Sequence, residues 1–124
     1  MKLLIADDSV LFRDRLKRLL NNFEFVSVVA EAGNGVEALQ LIHDTDPDVA
    51  ILDVRMPELN GIEVLKKIRE AGPRPKVIIL TNYPYKQYRD RSLAEGADYF
   101  FDKNQNIQDL TEIITKLGNE TKLE

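Results

Sequence analysis

The chain has 124 residues, 44% hydrophobic and 31% charged, with a formal net charge of −4 and no cysteine. That is the length of one domain able to bury about two-thirds of its unfolded surface; the lack of cysteine excludes disulfides and thiolate catalysis, and the net negative charge argues against nucleic acid as the main partner. No apolar run approaches the roughly 18 residues that span a bilayer, and Asp7-Asp8 interrupts the opening apolar stretch before it can form a signal-peptide core. The expectation is a cytoplasmic protein that binds neither membrane nor nucleic acid directly.

In chain order, Lys2 to Ala6 reads as a strand ending in Asp7-Asp8-Ser9. A helical period follows, with Val10 or Leu11, Phe12, Leu16, Leu19, Leu20 and Phe23 on one side and the basic run Arg13, Arg15, Lys17 and Arg18 as a solvated face. Phe25 to Ala30 is β-branched enough for a second strand. Asn34 and Glu37 have capping-box spacing and open a helix with Val36, Leu39 and Ile42 inward, ending near Asp46-Pro47. The central strand, Val49 to Leu52, delivers Asp53. Pro57 and Asn60-Gly61 then force a loop, and Asn60 with Glu63 caps a third helix containing Ile62, Leu65 and Ile68. Lys76 to Leu80 is a fourth strand, delivering Thr81. The segment from Pro84 to Glu95 is a weakly amphipathic helix. Ala97 to Phe101 is a fifth strand, followed by Asp102-Lys103. Asn106 and Asp109 cap a last helix with Leu110, Ile113, Ile114 and Leu117 inward; Gly118 is expected to stop it, which gives a domain over 1–118 and a polar tail over 119–124.

Five strand–helix units imply an α/β fold, a doubly wound parallel sheet with right-handed crossovers. The flavodoxin-like order 2-1-3-4-5 is favoured because it sets the first and third strands side by side and brings Asp7-Asp8 against Asp53. In such a sheet the chemistry collects past the carboxyl ends of the strands, where Asp7, Asp8, Asp53, Thr81 and Lys103 all fall. Three neighbouring carboxylates repel unless a cation joins them. Hard oxygen ligands without His or Cys select Mg²⁺, with Mn²⁺ as a substitute. Lys103 adds a charge for phosphoryl oxygens and Thr81 a hydroxyl donor. Asp53, alone at the end of the buried strand, is the candidate nucleophile for an acyl phosphate. Taken singly, each residue has a plainer reading, such as a helix cap for Asp8-Ser9; their common placement at successive strand ends is what favours a site.

The stretches LLIADDS, AILDVRMPELNGIEVLKKIR, VIILTN and EGADYFFDK resemble the receiver domain of two-component response regulators, of the single-domain type, along essentially the whole chain. The resemblance implies that Asp53 accepts a phosphoryl group from a sensor histidine kinase or a phosphotransfer protein. Asp8 would bind Mg²⁺ directly and Asp7 mainly through water, with the backbone carbonyl of Arg55 as a further ligand. Thr81 and Phe100 would form the switch pair and Lys103 the phosphate partner. The output would be altered binding of a downstream protein, or a phosphorylation-dependent homodimer, at a surface near Tyr85, Tyr88 and Tyr99. Such a domain is not an enzyme beyond its own phosphorylation and dephosphorylation.

The chain departs from the family pattern at Asn82, where a small residue is usual, at Asn104, where Pro is common, and at Phe100, which lacks a phenol. Arg55 and Tyr83 are bulky where the family tunes acyl-phosphate lifetime, and slow self-dephosphorylation is expected. The rival readings are an Mg²⁺-dependent phosphohydrolase using Asp53, a flavodoxin-like FMN carrier and a receiver-like adaptor that is never phosphorylated. The first lacks the Asp-x-Asp of haloacid-dehalogenase-type phosphatases, since Arg55 lies two beyond Asp53. The second is disfavoured by the acids in the first loop and the third by the intact acid set. Whether the receiver stands alone or belongs to a longer chain is left open by the sequence.

Overall fold

The computed structural model describes residues 1–104 and 107–123. Strand and helix alternate throughout: β1 (Lys2–Ala6), α1 (Val10–Leu20), β2 (Ser27–Ala32), α2 (Gly35–Thr45), β3 (Val49–Leu52), α3 (Gly61–Ala71), β4 (Lys76–Thr81), α4 (Lys86–Ala94), β5 (Tyr99–Asp102) and α5 (Ile107–Leu123). The strands form one parallel sheet in the order β2-β1-β3-β4-β5. This is the doubly wound architecture that the strand–helix alternation implies.

Side chains alternate across each strand, so the sheet has two cores. Leu4, Ala6, Ala50, Leu52, Val77 and Ile79 face α2 and α3 and meet Ala38, Ile62, Leu65 and Ile68. Leu3, Ile5, Val49, Ile51, Ile78 and Leu80 face α1 and α5 and meet Leu16, Leu20, Leu110, Ile114 and Leu117. The three inner strands, buried on both faces, read as continuous apolar runs for that reason. The first three helices start where the polar caps Ser9, Asn34 and Asn60 place them. Asn34 accepts from the Glu37 amide at 2.8 Å, and Asn60 and Glu63 form a reciprocal capping box. Asp46 ends α2 in the left-handed region at φ 45°.

Several expectations are corrected. The second strand begins at Ser27, two residues later than expected. Phe25 is held in the preceding turn, where its ring meets Phe23 edge-on at 5.6 Å. Gly118 does not stop the last helix, which runs on to Leu123. A Cβ on Gly118 would lie 2.2 Å from the Phe25 ring, so this glycine provides space for a close approach and no break. Val10, Leu11 and Val36, placed on inward faces by periodicity, are all more than half exposed. Each sits in the first turn of its helix, beyond the ends of the strands, where there is no sheet to cover it. Asn106 lies outside the described residues. α4 buries only Ser92 among its own residues and has no side-chain cap. Among the described residues no helix is long and apolar enough to cross a membrane.

Candidate functional site

The sheet ladder builds the site. The Asp53 amide donates to the Ala6 carbonyl at 3.0 Å, and the Asp7 amide to Ala32 at 2.9 Å. These bonds extend the β1–β3 and β1–β2 pairing by one residue, so Asp7 and Asp53 leave adjacent strands side by side. On the other side, the Lys103 amide donates to the Thr81 carbonyl at 2.9 Å. Gly61 lets α3 begin directly against the end of β3: its amide donates to Val54 at 2.8 Å, and a Cβ there would lie 2.0 Å from the Asp53 carbonyl oxygen.

One carboxylate oxygen from each of Asp7, Asp8 and Asp53 lies within 4.8 Å of the others. Asp7 and Asp53 are buried and Asp8 is exposed. The Lys103 ammonium, with its side chain only 5% exposed, stands 2.5 Å from Asp7 Oδ2 and 2.8 Å from Asp53 Oδ2. It also lies 4.2 Å from the centre of the Phe12 ring. Burial opposes the charge on Lys103, but the hydrogen bonds to Asp53 and Asp7 outweigh it and hold its pKa above the usual lysine value. Burial raises the pKa of Asp7, against the opposing pull of the Lys103 and Ser9 hydrogen bonds and with some help from the Asp53 charge.

Three carboxylates against one ammonium leave a formal charge of −2 in a pocket of hard oxygen donors. Asp53 Oδ1 is buried and has no hydrogen-bond partner in the protein, an unsatisfied state that calls for a ligand. The donor set therefore fits a hard divalent cation such as Mg²⁺.

Thr81 is fully buried at the end of β4, and its hydroxyl accepts from the Tyr83 amide at 3.1 Å. Phe100 is half-buried and packs with Tyr88 on the α2–α3 side of the sheet. Arg55 turns outward and lays its guanidinium 3.9 Å from the centre of the Tyr83 ring, with the Tyr88 hydroxyl at 3.4 Å. Tyr83, Tyr85 and Tyr88 form a chain of rings, with centres 6.1 and 5.6 Å apart. Tyr99 does not join them. It stacks on Phe101 and packs on the α1–α5 side, so the expected tyrosine surface is divided between the two faces of the sheet. A cavity of about 220 Å³ beside the acids is lined by Phe12, Arg15, Asn82, Lys103 and Asn104, among others. The side-chain Nδ2 of Asn104 donates to Asn82 Oδ1 at 3.3 Å.

Arg13 was missed at this site. Periodicity puts it on the solvated basic face, yet its side chain is only 15% exposed, and a guanidinium nitrogen donates to the Asp7 carbonyl. The available signal was its place one turn past Ser9, which brings it back over the strand end. His43, the single histidine of the chain, is an exposed surface residue beside Asp44.

The arrangement is an acidic pocket with a buried lysine at the carboxyl edge of a flavodoxin-like sheet. The profile of the response regulator receiver domain matches residues 3–115, and the chain belongs to that family, the receivers of two-component signalling systems. It is 39% identical over 111 residues to the oxygen regulatory protein NreC of Staphylococcus epidermidis, covering 89% of this chain and 51% of that one. A LuxR-family DNA-binding response regulator from Staphylococcus aureus superimposes with a TM-score of 0.87 at 32% identity, over 94% of this chain and 98% of the solved one. The CheX–CheY–BeF₃–Mg²⁺ complex from Borrelia burgdorferi matches with a TM-score of 0.78 at 27% identity, over 92% of this chain and 89% of that one. The chain spans about half the length of the curated relatives it matches. Receivers as a family interact with histidine kinases or phosphotransfer proteins and bind Mg²⁺ in an acidic pocket.

Proposed function

We propose that this receiver is switched by transfer of a phosphoryl group to Asp53 from the phosphohistidine of a sensor kinase or phosphotransfer protein, and that it signals by changed binding to another protein. The observation that carries the reading is the state of the Asp53 carboxylate: Oδ2 is held by Lys103 and Oδ1 is buried without a protein partner. An Asp53 oxygen attacks the phosphorus in line, the P–N bond breaks, and the imidazole leaves with the electron pair and takes up a proton. Lys103 neutralises the phosphoryl oxygens as they approach. Asp7, Asp8, Asp53 and the Arg55 carbonyl would hold the divalent cation. When bound, the cation supplies charge neutralisation for a phosphoryl group entering an anionic pocket. That the matching Borrelia burgdorferi structure is a CheX–CheY complex with BeF₃ and Mg²⁺ supports this reading.

Phosphorylation adds about −2 charge and strong acceptor oxygens at Asp53. The Thr81 hydroxyl can donate to them while still accepting from the Tyr83 amide, so a movement of Thr81 carries the β4–α4 loop with it. That movement opens room for Phe100 to turn further inward, and it changes the surface around α4, β5 and α5, including Tyr85, Tyr88 and Tyr99. A partner that binds the changed surface better stabilises it. The chain then acts as a signalling domain whose chemistry is confined to its own acyl phosphate.

The test is intact-protein mass spectrometry after incubation with acetyl phosphate and Mg²⁺, on the wild type and on Asp53→Ala. A labile single-phosphoryl adduct that needs both Mg²⁺ and Asp53 is expected. No adduct under conditions that phosphorylate a control receiver, or steady phosphate release with no adduct, would overturn the proposal.

A further inference from the structure

Asp7 is held on every side. Its amide donates to Ala32 at 2.9 Å, its Oδ1 accepts from the Ser9 amide at 2.9 Å, and its Oδ2 meets Lys103. The remaining polar group, the main-chain carbonyl, accepts from Arg13. That carbonyl belongs to the rigid peptide plane joining Asp7 to Asp8. Among the described residues no side-chain hydrogen bond holds the Asp8 carboxylate, so its position relative to the other acids depends on where the main chain sets its Cβ.

Arg13 is itself fixed from outside the site. Its Nε donates to Glu31 Oε1 at 3.2 Å. Glu31 lies in β2 opposite Ile5, and its other oxygen accepts from Lys17 at 2.9 Å. Glu31 therefore both aims the guanidinium and offsets its charge, so that Arg13 adds little repulsion toward an arriving cation. A planar fork can bridge two acceptors set apart in this way, whereas a lysine ammonium holds them less well.

We propose that Arg13, aimed by Glu31, is a positioning residue that fixes the Asp7–Asp8 peptide and thereby presents the Asp8 carboxylate to the divalent cation. This rests on the cation site proposed above. Groups that orient metal ligands in this way affect affinity by about 10–100-fold. With three other bonds still holding Asp7, the lower end applies.

The test is calorimetric titration of Mg²⁺ into the unphosphorylated protein, as wild type, Arg13→Lys, Arg13→Ala, Glu31→Gln and Asp8→Asn, with a urea unfolding midpoint for each. Arg13→Lys, which keeps the charge and the long stem, is expected to bind Mg²⁺ about tenfold more weakly while remaining folded. Glu31→Gln should weaken binding in the same direction, since the guanidinium then loses its counter-charge and keeps only a weaker, neutral hydrogen bond to aim it. Arg13 variants with lowered midpoints and unchanged Mg²⁺ affinity would reduce Arg13 to a structural brace and overturn the inference. Tighter binding in Arg13→Ala would overturn it too, by showing that only the charge matters. If the wild type binds no Mg²⁺, or Asp8→Asn leaves binding intact, the cation site itself falls.

Discussion

Replacing Lys103 by methionine isolates the balance of charge on which the pocket depends. The ammonium lies 2.5 and 2.8 Å from two carboxylates, with all three side chains at most 5% exposed. At an effective dielectric constant near 20 each contact corresponds to about 6 kcal/mol of Coulomb attraction. The cost of burying the ammonium offsets much of this, and removing one partner of such a group leaves a net loss of about 3–5 kcal/mol. A domain of this kind has about 5–15 kcal/mol in all, so the variant should fold but lie close to its limit in a chelating buffer. Mg²⁺ should restore much of the loss, because it binds the folded site and stabilises by mass action, about 2.7 kcal/mol at a hundred times its dissociation constant. Urea unfolding of wild type and Lys103→Met, each in EDTA and in saturating Mg²⁺, measures both effects. The stabilisation by Mg²⁺ should be larger in the variant. An equal loss with and without Mg²⁺, or no loss in EDTA, would refute the reasoning, since the acids would then not share one field with the cation.

Arg55→Ala removes the guanidinium from the face of Tyr83 and opens the approach of water to the acyl phosphate. Its phosphoryl half-life, followed by intact mass, should shorten severalfold, and an unchanged or longer half-life would count against shielding by this pair. Gly61→Ala puts a methyl group 2.0 Å from the Asp53 carbonyl oxygen, forcing α3 away from β3. It should cost about 1–3 kcal/mol in thermal or urea unfolding and slow phosphorylation, and a variant as stable as the wild type would show that the loop yields freely.

The architecture and the acidic pocket were legible because they depend on local signals. Val49 to Leu52 is apolar on both faces, Asn60 and Glu63 have cap spacing, and Asp53, Thr81 and Lys103 each stand at the carboxyl end of a strand. What was hidden lies between elements. Arg13 and Glu31 are 18 residues apart, and nothing in either segment announces the other. Periodicity assigns Val10, Leu11 and Val36 to an inward face but does not say where the sheet ends beneath them. Phe25 has the composition of a strand, yet its ring is needed against Gly118, which itself has the look of a helix stop. Tyr99 and Phe100 are neighbours in sequence and face opposite cores, a consequence of strand pleat that divides the expected tyrosine surface.

The main-chain hydrogen bonds from the Asp53 amide to Ala6 and from the Lys103 amide to Thr81 have a bearing on how such a chain tolerates change. They use atoms that every residue except proline carries, so Asp53 and Lys103 are located by bonds indifferent to the identity of the surrounding side chains. Drift can alter the lining of the cleft, as at Asn82 and Asn104, without moving the reactive groups. Recognition and chemistry are in this way written on separable parts of the same strand ends, and a lineage can exchange its partners while keeping its reaction.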